Sequence, residues 1–155
     1  MSVAGMVDYE PWMRRAIELA AQAEQAGDVP VGALLLSEGG ELIATGFNTR
    51  EAGCDPTGHA EINVLREAAA KLGRWRFSDC TLVVTLEPCT MCAGALVSAR
   101  VGRVVFGAWD PAFGACGSLR DVVRDSRVNH QVEVYGGVLE VECETQLRQF
   151  FLAKR

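Results

Sequence analysis

The sequence predicts a single α/β domain built on a mixed five-stranded sheet, and three observations support this. Apolar runs of strand length alternate with segments whose apolar residues recur at helical spacing. A short glycine-containing turn joins the first two strands and predicts an antiparallel hairpin, whereas helices separate later strands and predict parallel crossovers. A chain of 155 residues, with 49% apolar and 23% charged side chains, suits one domain whose core needs no disulfides.

Capping and turn residues predict the first helix and the hairpin. Asp8 can cap a helix with Pro11 in its first turn, and Gly27 ends it. The apolar residues at helical spacing are Met13, Ala16, Ile17, Ala20 and Ala23. The continuous apolar run from Val29 to Leu36 predicts a buried strand. After a Glu-Gly-Gly-Glu turn, Leu42 to Phe47 predicts its hairpin partner.

The rest of the chain alternates helix and strand. Turn-forming residues fill 48–58, and the helix that follows from about His59 to Leu72 ends at Gly73. Its predicted buried residues are Ile62, Leu65, Ala68, Ala69 and Leu72. The remaining predicted strands are 81–85, 104–108 and 132–134, and the remaining predicted helices are 89–99, 118–123 and 139–151.

The sequence predicts a protein that is neither exported nor inserted into a membrane. No apolar run reaches the roughly 18 residues of a membrane span, and Met1–Tyr9 lacks the basic and apolar regions of a secretion signal. We therefore expect a cytoplasmic protein with reduced cysteines. Among its six cysteines only Cys89 and Cys92 have ligand spacing, and Cys80 and Cys143 are expected to be small buried residues.

The net charge of −5 argues against a nucleic-acid partner, but the charges are unevenly distributed. Residues 1–65 hold three Lys/Arg and ten Asp/Glu, whereas residues 66–127 hold nine Lys/Arg and six Asp/Glu. A locally basic segment can contact phosphates even on an acidic protein. The alternative is an ordinary solvated surface of mixed charge.

Two motifs, each at the start of a predicted helix, predict a metal site. His59-Ala60-Glu61 begins one helix and Pro88-Cys89-Thr90-Met91-Cys92 begins another. One imidazole and two thiolates form the ligand set of a zinc ion that keeps one position open, whereas structural zinc sites usually have four protein ligands. Cys89 and Cys92 are three residues apart, so one helix face can present both, and the helix N-terminus favours thiolates.

Together the motifs form the H-x-E…P-C-x-x-C signature of zinc nucleobase deaminases. Zinc lowers the pKa of a bound water from about 15.7 towards about 7. Glu61 would take the proton, pass it to a ring nitrogen of the substrate and help protonate the departing ammonia. On an ideal helix Glu61 lies about 200° around from His59, which suits a proton carrier better than a fourth ligand.

At these motifs the sequence resembles the cytidine deaminase-like superfamily and, within it, the bacterial tRNA-specific adenosine deaminases. The resemblance runs from about Tyr9 to Phe151. It implies a three-layer α/β/α sandwich and a single zinc-dependent deaminase domain over 1–155. The implied reaction is hydrolytic deamination to inosine of the wobble adenosine of an arginine tRNA, by a homodimer whose partner helps shape the RNA site. The implied site has one Zn²⁺ per chain, with catalytic Glu61 and the ligands His59, Cys89 and Cys92.

The resemblance also implies substrate contacts. Asn48 would hold the ribose or the base, and Val29 and Pro30 would line the pocket. Asp110 would lie in the loop that touches the anticodon backbone, and Phe151 would pack near a flipped neighbouring base.

Three further side chains have two interpretations each. Trp109 stands where relatives commonly have a polar or basic residue, and it would either stack on an RNA base or pack in a dimer interface. Trp75 lies between two arginines, and we favour a role as core anchor of its loop over contact with nucleic acid. His130 would either contact RNA or be an exposed turn residue.

The zinc motifs specify the reaction type but not the substrate. The same chemistry on free guanine, cytosine, cytidine or another nucleoside is the first alternative, and the acidic net charge favours it. A non-catalytic zinc module, in which the ion only joins two helices, is the second.

Overall fold

A five-stranded mixed sheet forms the centre of the structure, a computed structural model that describes residues 7–154. The spatial order of its strands is β2-β1-β3-β4-β5. β1 pairs antiparallel with β2 and β3, and the β3–β4 and β4–β5 pairs are parallel, which confirms the predicted mixed sheet. The strands are β1 Gly32–Leu36, β2 Leu42–Phe47, β3 Thr81–Leu86, β4 Arg103–Ala108 and β5 Glu133–Tyr135.

Four helices cover the two faces of this sheet. They are α1 Glu10–Gln25, α2 Ala60–Leu72, α3 Thr90–Ser98 and α4 Glu140–Ala153. One buried apolar cluster joins α2 and α3 to one face, and a second joins α1 and α4 to the other. The three-layer α/β/α sandwich is therefore confirmed.

The central strands are buried on both faces. In β1, Ala33 and Leu35 pack in the cluster with α2 and α3, whereas Leu34 and Leu36 pack in the cluster with α1 and α4. This alternation is the period-2 geometry of a strand, and burial on both faces explains the continuous apolar run in the sequence. The strand itself begins at Gly32, three residues later than predicted.

The predicted buried face of α2 is partly wrong. Its buried residues are Ala60, Glu61, Val64, Leu65 and Ala68, whereas Leu72 is 41% exposed. The helix approaches β2 at Gly46, where an added Cβ would lie 2.9 Å from Cγ2 of Val64. Because Gly46 has no side chain, Ala60 and Val64 face the sheet.

Two further predictions are wrong. The segment 118–123 forms turns and a bridge between Cys116 and Asp121, not a helix. Trp75 is 58% exposed, with the Arg76 guanidinium 5.5 Å from its ring centre, and the buried Phe77 anchors this loop instead.

Two cysteines, one histidine and the start of α1 also had predicted environments. Cys80 and Cys143 are buried, as predicted. The half-buried His130 has its Nε2 2.7 Å from the Val101 carbonyl oxygen. Tyr9 occupies the N-cap position of α1, and the Asp8 carboxylate accepts a hydrogen bond from the Glu10 N–H.

The expectation that Met1–Tyr9 carries no secretion signal falls mainly on residues outside the described range. Among residues 7–154, no helix has both the length and the apolar composition needed to cross a membrane.

The contact between α1 and β1 leaves no room for a side chain at Gly32. A Cβ there would lie 2.1 Å from the Ala16 carbonyl oxygen and 2.5 Å from the Ala20 nitrogen. We expect Gly32→Ala to lower the free energy of unfolding by about 3 kcal/mol, because backbone must move to relieve the clash. Urea denaturation measures this, with Gly39→Ala, where the nearest atom is 3.9 Å away, as the control. Equal stability of the two variants would contradict the close packing.

Candidate active site

The two sequence motifs meet at the N-terminal ends of α2 and α3. His59 is the N-cap residue of α2 and Cys89 is the N-cap residue of α3, and both have extended backbone conformations. His59 therefore precedes the helix, and the angular separation expected on an ideal helix does not apply to it. Cys92 lies in the first turn of α3 and is buried. The ends of two helices thus bring the three side chains together.

The distances between these side chains fit a zinc ion. Nδ1 of His59 lies 3.6 Å from Sγ of Cys89 and 3.4 Å from Sγ of Cys92. A tetrahedral zinc ion, with Zn–N of about 2.0–2.1 Å and Zn–S of about 2.3 Å, separates its nitrogen and sulfur ligands by about 3.6 Å. Within residues 7–154, this group contains these three side chains and no fourth His, Cys, Asp or Glu.

The two thiols differ in their electrostatics. A hydrogen bond from Cys92 is the main cause that lowers the pKa of Cys89 to about 4. The same hydrogen bond, together with burial, raises the pKa of Cys92. The pKa of His59 is raised, mainly by its hydrogen bond to Cys89. The pair thus favours one thiolate by itself, and a divalent cation would favour the second.

Glu61 lies in the first turn of α2 and is buried beside these ligands. Burial is the main cause that raises the pKa of its carboxyl group to about 7. The nearby Cys92 thiol offsets a small part of this rise in the pKa of Glu61. A carboxyl group with a pKa near neutrality is suited to take up and release protons.

A cavity of about 580 Å³ opens beside His59, Glu61 and Cys89. Its volume lies in the range of small-molecule sites. Four of the five residues that the sequence predicted to contact substrate line this cavity: Val29, Asn48, Asp110 and Phe151. The fifth, Pro30, is buried and is not one of the lining residues. The lining residues that were not predicted include Asp28, Arg50, Phe113 and Leu147.

The side chain of Asn48 forms two hydrogen bonds within the protein. Its Nδ2 donates to the Val29 carbonyl oxygen at 3.2 Å, and its Oδ1 accepts from the Arg50 N–H at 3.0 Å. One amide hydrogen is left for a ligand. The side chain of Asp110 is likewise used, since its Oδ1 accepts from the backbone of Ala112 and Phe113.

Trp109 lines the cavity and is 39% exposed. Its ring packs edge-to-face on Phe106 at 4.7 Å, and a Cβ at Gly136 would lie 2.5 Å from it. The tryptophan is therefore held in place from behind and keeps part of its surface towards the cavity.

No sequence motif indicates the role of Glu87, which is buried directly before the P-C-x-x-C motif. Its carboxylate accepts hydrogen bonds from the backbone N–H groups of Asp110, Cys116 and Ser118 at 2.9–3.0 Å, and from the Ser118 hydroxyl. A Cβ at Gly114 would lie 2.4 Å from its Oε1. Glu87 thus organises the loop that carries Trp109 and Asp110 to the cavity. The four donors come from residues 23 to 31 positions later, so no local pattern reveals them.

We expect Glu87→Gln to destabilise the protein by about 3 kcal/mol, because the amide NH₂ leaves two of the four donors without an acceptor. The kcat/KM should fall as well, since Trp109, Asp110, Ala112 and Phe113 of the loop 109–118 line the cavity. Denaturation curves and steady-state kinetics measure both effects, with the exposed Glu142→Gln as the control. Wild-type stability of Glu87→Gln would rule out this role.

Comparison with known proteins identifies the class. Residues 6–108 match the family model described as the cytidine and deoxycytidylate deaminase zinc-binding region. The fold and the three-ligand site therefore define a zinc-binding deaminase.

Individual relatives narrow this class. The chain is 49% identical over 146 residues to the tRNA-specific adenosine deaminase of Bacillus subtilis (strain 168). The aligned residues make up 94% of this chain and 90% of that protein. A solved structure from a study of A-to-I editing by tRNA:A34 deaminases superimposes with a TM-score of 0.84 at 40% identity, covering 88% of this chain and 99% of the other. The structure of the guanine deaminase from Nitrosomonas europaea superimposes with a TM-score of 0.79 at 28% identity, covering 94% of this chain and 85% of the other.

The chain belongs to the zinc-binding deaminase family, on the branch of the tRNA-specific adenosine deaminases. The resemblance stated from the motifs is confirmed.

Proposed function

We propose that this protein deaminates adenosine to inosine at the wobble position of a tRNA anticodon, with a zinc ion held by His59, Cys89 and Cys92. One observation carries the proposal. Among residues 7–154, three ligand atoms arranged for zinc, without a fourth, lie beside a buried carboxyl group that lines a cavity. A structural zinc site would be closed by a fourth protein ligand.

The reaction requires water to add to C6 of adenine and the C6–N6 bond to break, which gives inosine and ammonia. When bound, zinc at a three-ligand site lowers the pKa of a coordinated water to about 7. Glu61 takes the proton from the attacking water and delivers it to N1 of the base. It then carries a proton to the departing amine. Its burial and its raised pKa suit both transfers.

The residues at the rim of the cavity favour RNA as the substrate. Trp109, Phe113 and Phe151 line it with partly exposed aromatic rings. Such rings stack on unpaired bases, at about 1–3 kcal/mol per base, and RNA recognition generally targets unstacked loop bases. We assign Phe151 to the base next to the target and the Asp110 loop to the anticodon backbone.

The inner part of the cavity would hold the target nucleoside. Asn48 has one amide hydrogen free for the ribose or the base, and Val29 supplies an apolar wall. Pro30 is assigned to the support of this wall, since it is buried and follows Val29 directly in the chain.

The proposal includes a homodimer, an arginine tRNA and a cytoplasmic location, with residues 1–155 as one domain. The homodimer is supported by α3, a short apolar helix whose residues Met91 and Gly94 are only partly buried. A helix that is apolar on all sides is normally covered on all sides. The arginine tRNA follows from the resemblance alone.

The test compares substrates. The protein is incubated with an anticodon stem-loop that carries adenosine at the wobble position, and separately with free adenosine, guanine, cytosine and cytidine. We expect inosine in the RNA and little ammonia from the free compounds. Turnover of guanine without inosine in the RNA would favour the alternative, which the similarity to a guanine deaminase structure keeps open.

A further inference from the structure

We propose that Arg50 binds the phosphate next to the target nucleotide and thereby makes the site select RNA over a free base. This inference rests on the proposed function, and it adds a specificity-determining residue to it.

The position of Arg50 is the first observation. Its side chain is exposed and lines the cavity, and among residues 7–154 it is the only lysine or arginine that does so. None of the salt bridges between described residues involves Arg50. Its charge is therefore available to a ligand at the cavity mouth.

The second observation is that the backbone of Arg50 is held firmly. Its N–H donates to Oδ1 of Asn48 at 3.0 Å, and its carbonyl oxygen accepts from the Asp55 N–H at 3.0 Å. The neighbouring N–H groups of Glu51 and Ala52 donate to the Asp28 carboxylate at 2.6 and 3.0 Å. Arg50 is thus presented from a fixed turn, which reduces the entropy lost when it binds.

Asp28, which lines the cavity, joins this turn to the cavity wall through its hydrogen bonds. Its side chain is only 1% exposed, and its two oxygens cap the turn 50–54. The carbonyl oxygen of the next residue, Val29, accepts a hydrogen bond from Nδ2 of Asn48. The segment that forms one wall of the cavity therefore also sets the position of Arg50.

The third observation is the charge of the remaining lining. Its carboxylate-bearing residues are Asp28, Glu51, Glu61, Glu87 and Asp110. Asp28, Glu87 and Asp110 accept hydrogen bonds from backbone N–H groups, and none of the salt bridges between described residues pairs them with a cation. This charge opposes the approach of a polyanion, and Arg50 is the cation that offsets it at the mouth. A free base has no phosphate and gains nothing from Arg50.

Kinetics with the stem-loop RNA at several salt concentrations test the proposal. The variants are Arg50→Gln, Arg50→Lys and, as the matched control, Arg14→Gln on the exposed side of α1. For Arg50→Gln we expect KM to rise about tenfold with little change in kcat, because a charge-assisted contact to the RNA is lost. The dependence of log(kcat/KM) on log[salt] should become shallower by about 0.7, the value for one phosphate contact to a single strand.

The lysine variant and the zinc content separate phosphate binding from a structural role. Arg50→Lys should keep most of the affinity because it keeps the charge, and every variant should retain one zinc per chain. An Arg50→Gln protein with wild-type KM and wild-type salt dependence would overturn the assignment, while inosine formation by the wild type would leave the proposed function intact. A wild-type protein that forms no inosine in RNA would overturn both.

Discussion

Glu61→Gln is expected to give a folded protein that holds one zinc per chain but forms inosine about 10²–10⁴-fold more slowly than the wild type. Glutamine has the size and shape of glutamate, so the first turn of α2 and its packing should remain. It cannot accept a proton from the attacking water or deliver one to the base. Zinc analysis, circular dichroism and single-turnover kinetics measure the three properties on one sample.

Glu67→Gln is the control for Glu61→Gln, because it makes the same chemical change on the surface of the same helix. It should show wild-type kinetics. Substantial activity in Glu61→Gln would show that another group carries the proton. Loss of zinc from that variant would show instead that Glu61 is needed for the metal centre itself.

Cys89→Ser is expected to abolish both zinc binding and activity. Removal of a thiolate leaves two of the three ligands, and a change in the ligand set should cost more than the 10–100-fold loss in affinity that is typical of altered outer-shell partners, on the order of 10³-fold or more. Dialysis followed by metal analysis should find almost no zinc. Because metal binding contributes to folding, the melting temperature should fall as well.

Cys54→Ser is the matched control for Cys89→Ser. Cys54 is an exposed cysteine in the turn that precedes His59, outside the metal-ligand group. Its replacement should leave zinc content and activity unchanged. If Cys89→Ser retained a full equivalent of zinc, the ligand assignment would be wrong.

The sequence predicted the strands and the close approach of Cys89 to Cys92 well because these signals are local. The apolar run before the hairpin and the i, i+3 spacing of Cys89 and Cys92 lie within single elements. His59 was correctly placed near them because H-x-E and P-C-x-x-C form a known combination. The distances of 3.4–3.6 Å from Nδ1 of His59 to the two sulfur atoms fit the predicted metal site.

The features that were missed depend on contacts between distant parts of the chain. Segment 118–123 was predicted as a helix, but Glu87 accepts hydrogen bonds from the N–H groups of Cys116 and Ser118 at its start and holds a turn there. The buried face of α2 depends on Gly46, a residue of another element. Trp75 was expected to anchor its loop to the core, but Phe77, two residues later, is the buried ring and Trp75 is exposed.

The most direct test of hydrolytic deamination on RNA is a reaction in ¹⁸O-labelled water. The stem-loop with a wobble adenosine is incubated with the zinc-loaded protein, digested to nucleosides and analysed by mass spectrometry. Inosine that carries the heavy oxygen on its base, with one ammonia released per inosine, is the predicted result. Unchanged adenosine in the RNA, or inosine without the label, would contradict the addition of water to C6 of adenine at this site.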